Sequence, residues 1–124
     1  MGSFFCSDNC SGMTDIKIHN GYGGQGQSCP SFSYRVPEEY YGKTAYLSIS
    51  YIYSTPRSDA ATLSFAHTGL DITKTHVSTA VIDADYGSVY GKSFVYEGIL
   101  QGGTIEVGLS GWDRKNFTVM LVVK

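Results

Sequence analysis

Two carboxylates one residue apart open the stretch Asp83-Ala84-Asp85-Tyr86-Gly87. Calcium takes roughly six to eight oxygen ligands, and closely spaced carboxylates before a glycine turn supply some of them. Asp83 and Asp85 are therefore the expected calcium ligands, with an ordinary acidic turn as the alternative. The pattern stops short of an EF-hand loop, because no third acidic residue holds the next odd position and no glutamate follows at the required spacing.

A second pair of stretches places carboxylates on turns. Thr68-Gly69-Leu70-Asp71 and Ser110-Gly111-Trp112-Asp113 share one order of residue types. Glycine supplies a positive φ there, and aspartate caps a turn by accepting a backbone N–H. The same carboxylates, Asp71 and Asp113, are also candidates to accept hydrogen bonds from sugar hydroxyls. Trp112 stands among Gly111, Asp113, Arg114 and Lys115, and this polar company predicts an exposed indole. Such a ring stacks on the apolar face of a sugar or packs at an interface; otherwise it plugs the end of the fold. Tyr22, Tyr86 and Tyr90 lie beside turns, and tyrosine joins a flat apolar face to a hydroxyl, which suits glycan or protein recognition.

Catalytic chemistry has little to build on. His19, His67 and His76 show no zinc-ligand spacing. No nucleophile elbow, P-loop or HExxH motif occurs. The glycines of residues 21–27 have no lysine among them and no following helical pattern, which argues against phosphate binding. A non-catalytic protein is the expectation.

The elements that must hold these residues are strands. The chain has 124 residues, enough for one domain with a core of its own. Fifteen glycines, ten tyrosines and a charged fraction of 16% suit strands joined by tight turns better than long helices. A net charge of −2 without a basic cluster argues against nucleic acid as a partner, and no apolar run approaches the length of a transmembrane segment. The three cysteines, Cys6, Cys10 and Cys29, are an odd number and leave the pairing open. Sequons at Asn9 and Asn116 are compatible with secretion. Residues 1–13 are expected to be a flexible N-terminal segment or cloning scar; the alternative is lipidation at Gly2 and Cys6.

Alternation of apolar and polar residues predicts eight strands, at 15–19, 31–36, 44–53, 62–67, 77–82, 93–99, 104–109 and 117–123. Residues 62–71, TLSFAHTGLD, reappear as 104–113, TIEVGLSGWD, and the similarity extends into flanking strands, where Val77 matches Val119 and Val81 matches Val123. Matched parity across the copies predicts matched faces. Residues 14–23 align only in part, and there Ile16 and Ile18 fall on the opposite parity. The expected core holds Leu47, Ile49, Leu63, Phe65, Val77, Val81, Ile105, Val107, Leu109, Val119, Leu121 and Val123.

These features predict an all-β, single-domain antiparallel β-sandwich over residues 14–124, jelly-roll or immunoglobulin-like, with an internal repeat. A β-trefoil or β-prism of pseudo-threefold symmetry is the alternative. The tail, with Gly102-Gly103-Thr104 before an alternating strand and a last apolar strand, resembles the ends of carbohydrate-binding sandwich modules; no residue role follows from this. The expected function is an extracellular or cell-surface recognition module, lectin-like and carbohydrate-binding, assisted by calcium. Its ligand contacts would be Trp112, Asp113, Asp71, Tyr86, Tyr90 and Tyr22. A self-assembling structural or cell-adhesion protein, active as a homo-oligomer, is the second expectation.

Overall fold

The computed structural model describes residues 14–84 and 87–124; the side chains of residues 82–84 lie outside that description. Among the described residues the chain forms β1 (Asp15–Gly23), β2 (Phe32–Arg35), β3 (Thr44–Tyr53), β4 (Thr62–Ala66), β5 (Leu70–Ala84), β6 (Gly87–Leu100), β7 (Thr104–Ser110) and β8 (Lys115–Val123), with one 3-10 turn at Glu38–Tyr40. The strands make two antiparallel sheets, as in a β-sandwich. The large sheet has the order β1-β8-β3-β6-β5 and the small one β2-β7-β4. No described helix is long and apolar enough to cross a membrane.

The core lies where the small sheet covers β8 and β3. Leu47, Ile49, Ile105, Val107, Leu109, Val119, Leu121 and Val123 are all buried, each on the inward parity of its strand. Burying an aliphatic side chain of this kind is worth roughly 1.5–3 kcal/mol. Residues of the other parity on the large sheet meet water. There Asn20 accepts from Thr118 Oγ1 at 2.7 Å, and Ser50 and Ser93 share a hydrogen bond of 3.1 Å. Ile16 and Ile18 also point outward, with Ile18 63% exposed.

The expected core loses Val77 and Val81, which are 57% and 61% exposed, whereas Val119 and Val123 are fully buried. Parity is not the reason. Val77 pairs with Phe94, which pairs in turn with Ile49 of the core, so Val77 does face the inner side of its sheet. It stays exposed because β5 ends the sheet order and the small sheet does not reach it. Leu63 and Phe65 on β4, the edge nearest this overhang, are half-buried against the core.

A bulge sets which residues of β5 face inward. Ile72 pairs with Gly98 and Lys74 with Glu97, so Thr73 is an extra residue, its Oγ1 donating to Glu97 O at 3.1 Å. Before the bulge even-numbered residues face in; after it odd-numbered ones do. A ladder of rings follows on the inner side. Tyr53 stacks with Tyr90 at 5.5 Å, Tyr51 with Phe94 at 6.4 Å, and Phe65 of β4 with Tyr96 at 4.9 Å between centroids.

Candidate functional site

Antiparallel pairing brings four connections to one end of the sandwich: β1–β2, β3–β4, the β5–β6 hairpin and β7–β8. At that end Gly23 stands opposite Lys115 and Lys115 opposite Tyr53. Trp112, Asp113, Tyr22 and Tyr90 gather there, and the backbone of Asp83 reaches the same end, paired with Ser88. Asp71 does not. It is an exposed residue near the start of β5, opposite Ile99, at the other end of the molecule. Asp85 and Tyr86, like Cys6, Cys10, Asn9 and Gly2, lie outside the described residues, and so does the side chain of Asp83.

The base of this end is built from two buried charged residues. Lys115 is 2% exposed. Its ammonium donates to the carbonyls of Gly24 at 3.3 Å, Gln27 at 2.5 Å, Gly111 at 2.9 Å and Asp113 at 2.8 Å. Three N–H donors are thus shared among four backbone oxygens, and the lysine ties the β1–β2 connection to the β7–β8 turn. Its own carbonyl faces the buried Cys29, whose thiol donates to it at 3.8 Å. Burial pushes the Cys29 thiol up from its ordinary 9.0, while the charge of Lys115 pulls the other way.

Asp113, 6% exposed, does for the β3–β4 connection what Lys115 does for β1–β2. Its Oδ2 accepts from Ser54 N and from Thr55 N, the latter at 2.9 Å, and its Oδ1 accepts from Arg114 N at 2.8 Å. Sequence reasoning offers this carboxylate both as a turn cap and as a ligand contact; the geometry places it in the cap. The turn needs Gly111, which has φ +135° and packs so close to Ala60 O that a Cβ would clash.

Trp112 stands on this base. Its N–H donates to Asp59 O at 2.8 Å and its carbonyl accepts from Gly26 N at 2.8 Å, so the backbone carrying the indole is held by two neighbouring connections. The residue is 37% exposed. The Arg57 guanidinium lies over the indole, 4.2 Å from the ring centre. Arg57 is itself gripped by Asp59 through two parallel hydrogen bonds of 2.9 and 2.8 Å. Hydrogen bonding to Arg57 holds the Asp59 carboxyl below its ordinary 3.8. A ring, a planar cation and a carboxylate thus share one solvent-facing cluster. Sequence reasoning finds the ring but not Arg57 or Asp59, which sit in the turn-forming stretch between β3 and β4.

At the same end lies an open trough of about 170 Å³, walled by Tyr22, Ile52, Tyr53, Ser54, Arg114 and Asn116 and not by Trp112, Arg57 or Asp59. Tyr22 is 60% exposed. Tyr90 stands further in, its ring against Tyr53. A second shallow trough, of about 290 Å³, crosses the outer face of the small sheet around Gly108, between Ser31, Ser33, Ser64 and Glu106. Two of the three histidines serve the frame: His19 Nε2 donates to Pro30 O at 2.7 Å, and His67 Nδ1 to Leu70 O at 3.1 Å, while His76 is exposed on β5. No group of three or more metal-ligating side chains occurs among the described residues.

No family model, curated protein or solved structure matches the chain.

Proposed function

We propose that this protein is a non-catalytic recognition module that binds a glycan at the end of the sandwich carrying Trp112. The observation that carries the proposal is the pre-positioned cluster: a part-exposed indole on a backbone fixed by hydrogen bonds, with the Arg57–Asp59 pair against it. An aromatic face takes the apolar C–H face of a sugar ring, and a planar cation beside a carboxylate supplies both donors and acceptors for hydroxyls. The order is already in place before a ligand arrives, so little freedom is lost on binding. The trough at the same end is smaller than the ~300 Å³ at which small-molecule pockets begin, which argues for a ligand that lies mostly in solvent rather than one enclosed by the protein.

The finer parts of this reading go together. The chain passes between the sheets at most of its connections, which favours a jelly-roll in which β5 has joined the large sheet. Calcium assistance through Asp83 and Asp85 belongs to the same reading: the backbone of Asp83 lies at the end that carries Trp112, while Asp85 is outside the described residues. A glycan ligand places the protein outside the cell or on its surface.

The test is a glycan array probed with the wild-type chain and with Trp112→Ala, with and without calcium. Wild-type binding to at least one glycan class, lost in the folded variant, is the expected result. Binding that survives Trp112→Ala removes the assignment of this end.

A further inference from the structure

We propose that β5 is a dimerisation edge, along which two copies of this chain pair antiparallel about Thr79 and join their large sheets into one. β5 is the last strand of its sheet, and residues 73–81 are exposed on both faces. Among the described residues no strand pairs with its outer backbone edge, which is a template for another strand. Soluble proteins guard such edges with lysine, proline, a bulge or a short strand. Here the strand is 15 residues long. Its bulge, at Thr73, precedes the open stretch rather than interrupting it. Residues 75–82, THVSTAVI, contain no Asp, Glu, Lys, Arg, Gly or Pro and are rich in β-branched types.

The occupant that fits is the same strand in a second copy. With Thr79 opposite its own counterpart, Val77 faces Val81 of the second copy, and the two-fold axis repeats the pair. Both valines lie on the inner side of their sheets, so they meet on one face. Cross-strand Val–Val and Thr–Thr pairs are favourable neighbours in a sheet. A shift by one residue would set Val77 against the outer parity and lose both pairs. Charge agrees with the antiparallel sense. With Thr79 on the axis, Lys74 falls opposite Ala84 of the second copy and Thr75 opposite its Asp83, so no like charges stand face to face. A parallel arrangement would set like against like. The inner face gains as well: Val77 and Val81, left open by the small sheet, acquire apolar neighbours. This interface is independent of the glycan reading.

Sedimentation velocity of the full chain over a concentration series tests it, with far-UV circular dichroism as the check on folding. The wild type should dimerise. Thr79 is exposed, and Thr79→Lys and Thr79→Glu should each keep the fold and weaken the dimer at least about tenfold, because like charges would meet on the two-fold axis. An equimolar mixture of the two variants should recover the dimer, since lysine then faces glutamate. Should either variant fail to fold, Ser78→Lys, on the other face of the same edge, carries the same readout. A wild type that stays monomeric overturns the proposal, as do folded variants that dimerise like the wild type, or folded monomeric variants whose mixture does not recover the dimer.

Discussion

Lys115 donates to the backbone carbonyl of Asp113 at 2.8 Å, while the Asp113 carboxylate turns to the opposite side and caps Ser54 and Thr55. The two opposite charges, two residues apart and both buried, divide the work of fixing one end of the sandwich between three connections. Replacing Lys115 by methionine keeps an unbranched stem one atom shorter and removes the ammonium from four carbonyls, of which Gly24 O keeps the N–H of Gln27 at 3.0 Å. Since an unsatisfied buried polar group costs about 1–3 kcal/mol, Lys115→Met should lower unfolding stability by at least about 2 kcal/mol in urea titrations. Loss of under about 0.5 kcal/mol would mean that water replaces the ammonium without penalty.

Arg57 over Trp112 makes a second prediction, and the chain has a single tryptophan to report it. Arg57→Ala should shift Trp112 emission to longer wavelength by admitting water to the indole face. Stability should change little, because the contact is exposed to water. An unchanged spectrum would show that the guanidinium does not shield the ring in solution.

Alkaline pH should unfold the protein. Burial raises the Cys29 thiol above 9.0 and the Tyr51 and Tyr96 phenols above 10.0. A raised pKa means that the folded chain keeps protons which the unfolded chain surrenders, so this stability is complete below the ordinary values and is lost as pH climbs through and beyond them. Melting temperature should be level up to about pH 8 and then decline steadily toward about pH 11. A flat profile over that interval would contradict the burial of these groups.

Gly98 abuts the backbone of Asp71 so closely that a Cβ would overlap the carbonyl oxygen. Backbone cannot swing aside as a side-chain tip can. Gly98→Ala should therefore cost about 1–3 kcal/mol, whereas Gly91→Ala, whose Cβ would meet its nearest neighbours at 3.6 and 3.7 Å, should be nearly neutral. Thermal melts of the two variants give the comparison; equal effects would refute the packing argument.

The strand count and most inward faces were legible because alternation is a local signal, and 117–123 or 104–109 need nothing else. Three departures show where that signal fails. Alternation in β5 breaks at Thr73, since Ile72 and Val77 have opposite parity yet face the same side, and the bulge that reconciles them leaves no mark in composition. Gly21 and Gly23 suggest a turn but belong to β1; Gly21 is small because Phe117, far off in the sequence, presses against it, and Gly23 because the Gln27 carbonyl and Cys29 do. Val77 has the inward parity and no cover, because parity gives the face and says nothing of how far the opposite sheet extends. In the candidate site the legible part was Trp112. Lys115 carried a signal that polarity masked: it continues the odd-numbered inward series of Phe117, Val119, Leu121 and Val123. Arg57 and Asp59 had none, since a turn rich in charge looks alike whether or not it folds over a ring.

The ammonium of Lys115 grips main-chain oxygens and no side chain. Anchorage of that end is consequently indifferent to what Gln25, Gln27 or Ser28 display, provided the path of the chain is kept. Those positions can be rewritten, by natural drift or by library selection, to change the surface that this end presents without loosening its scaffold.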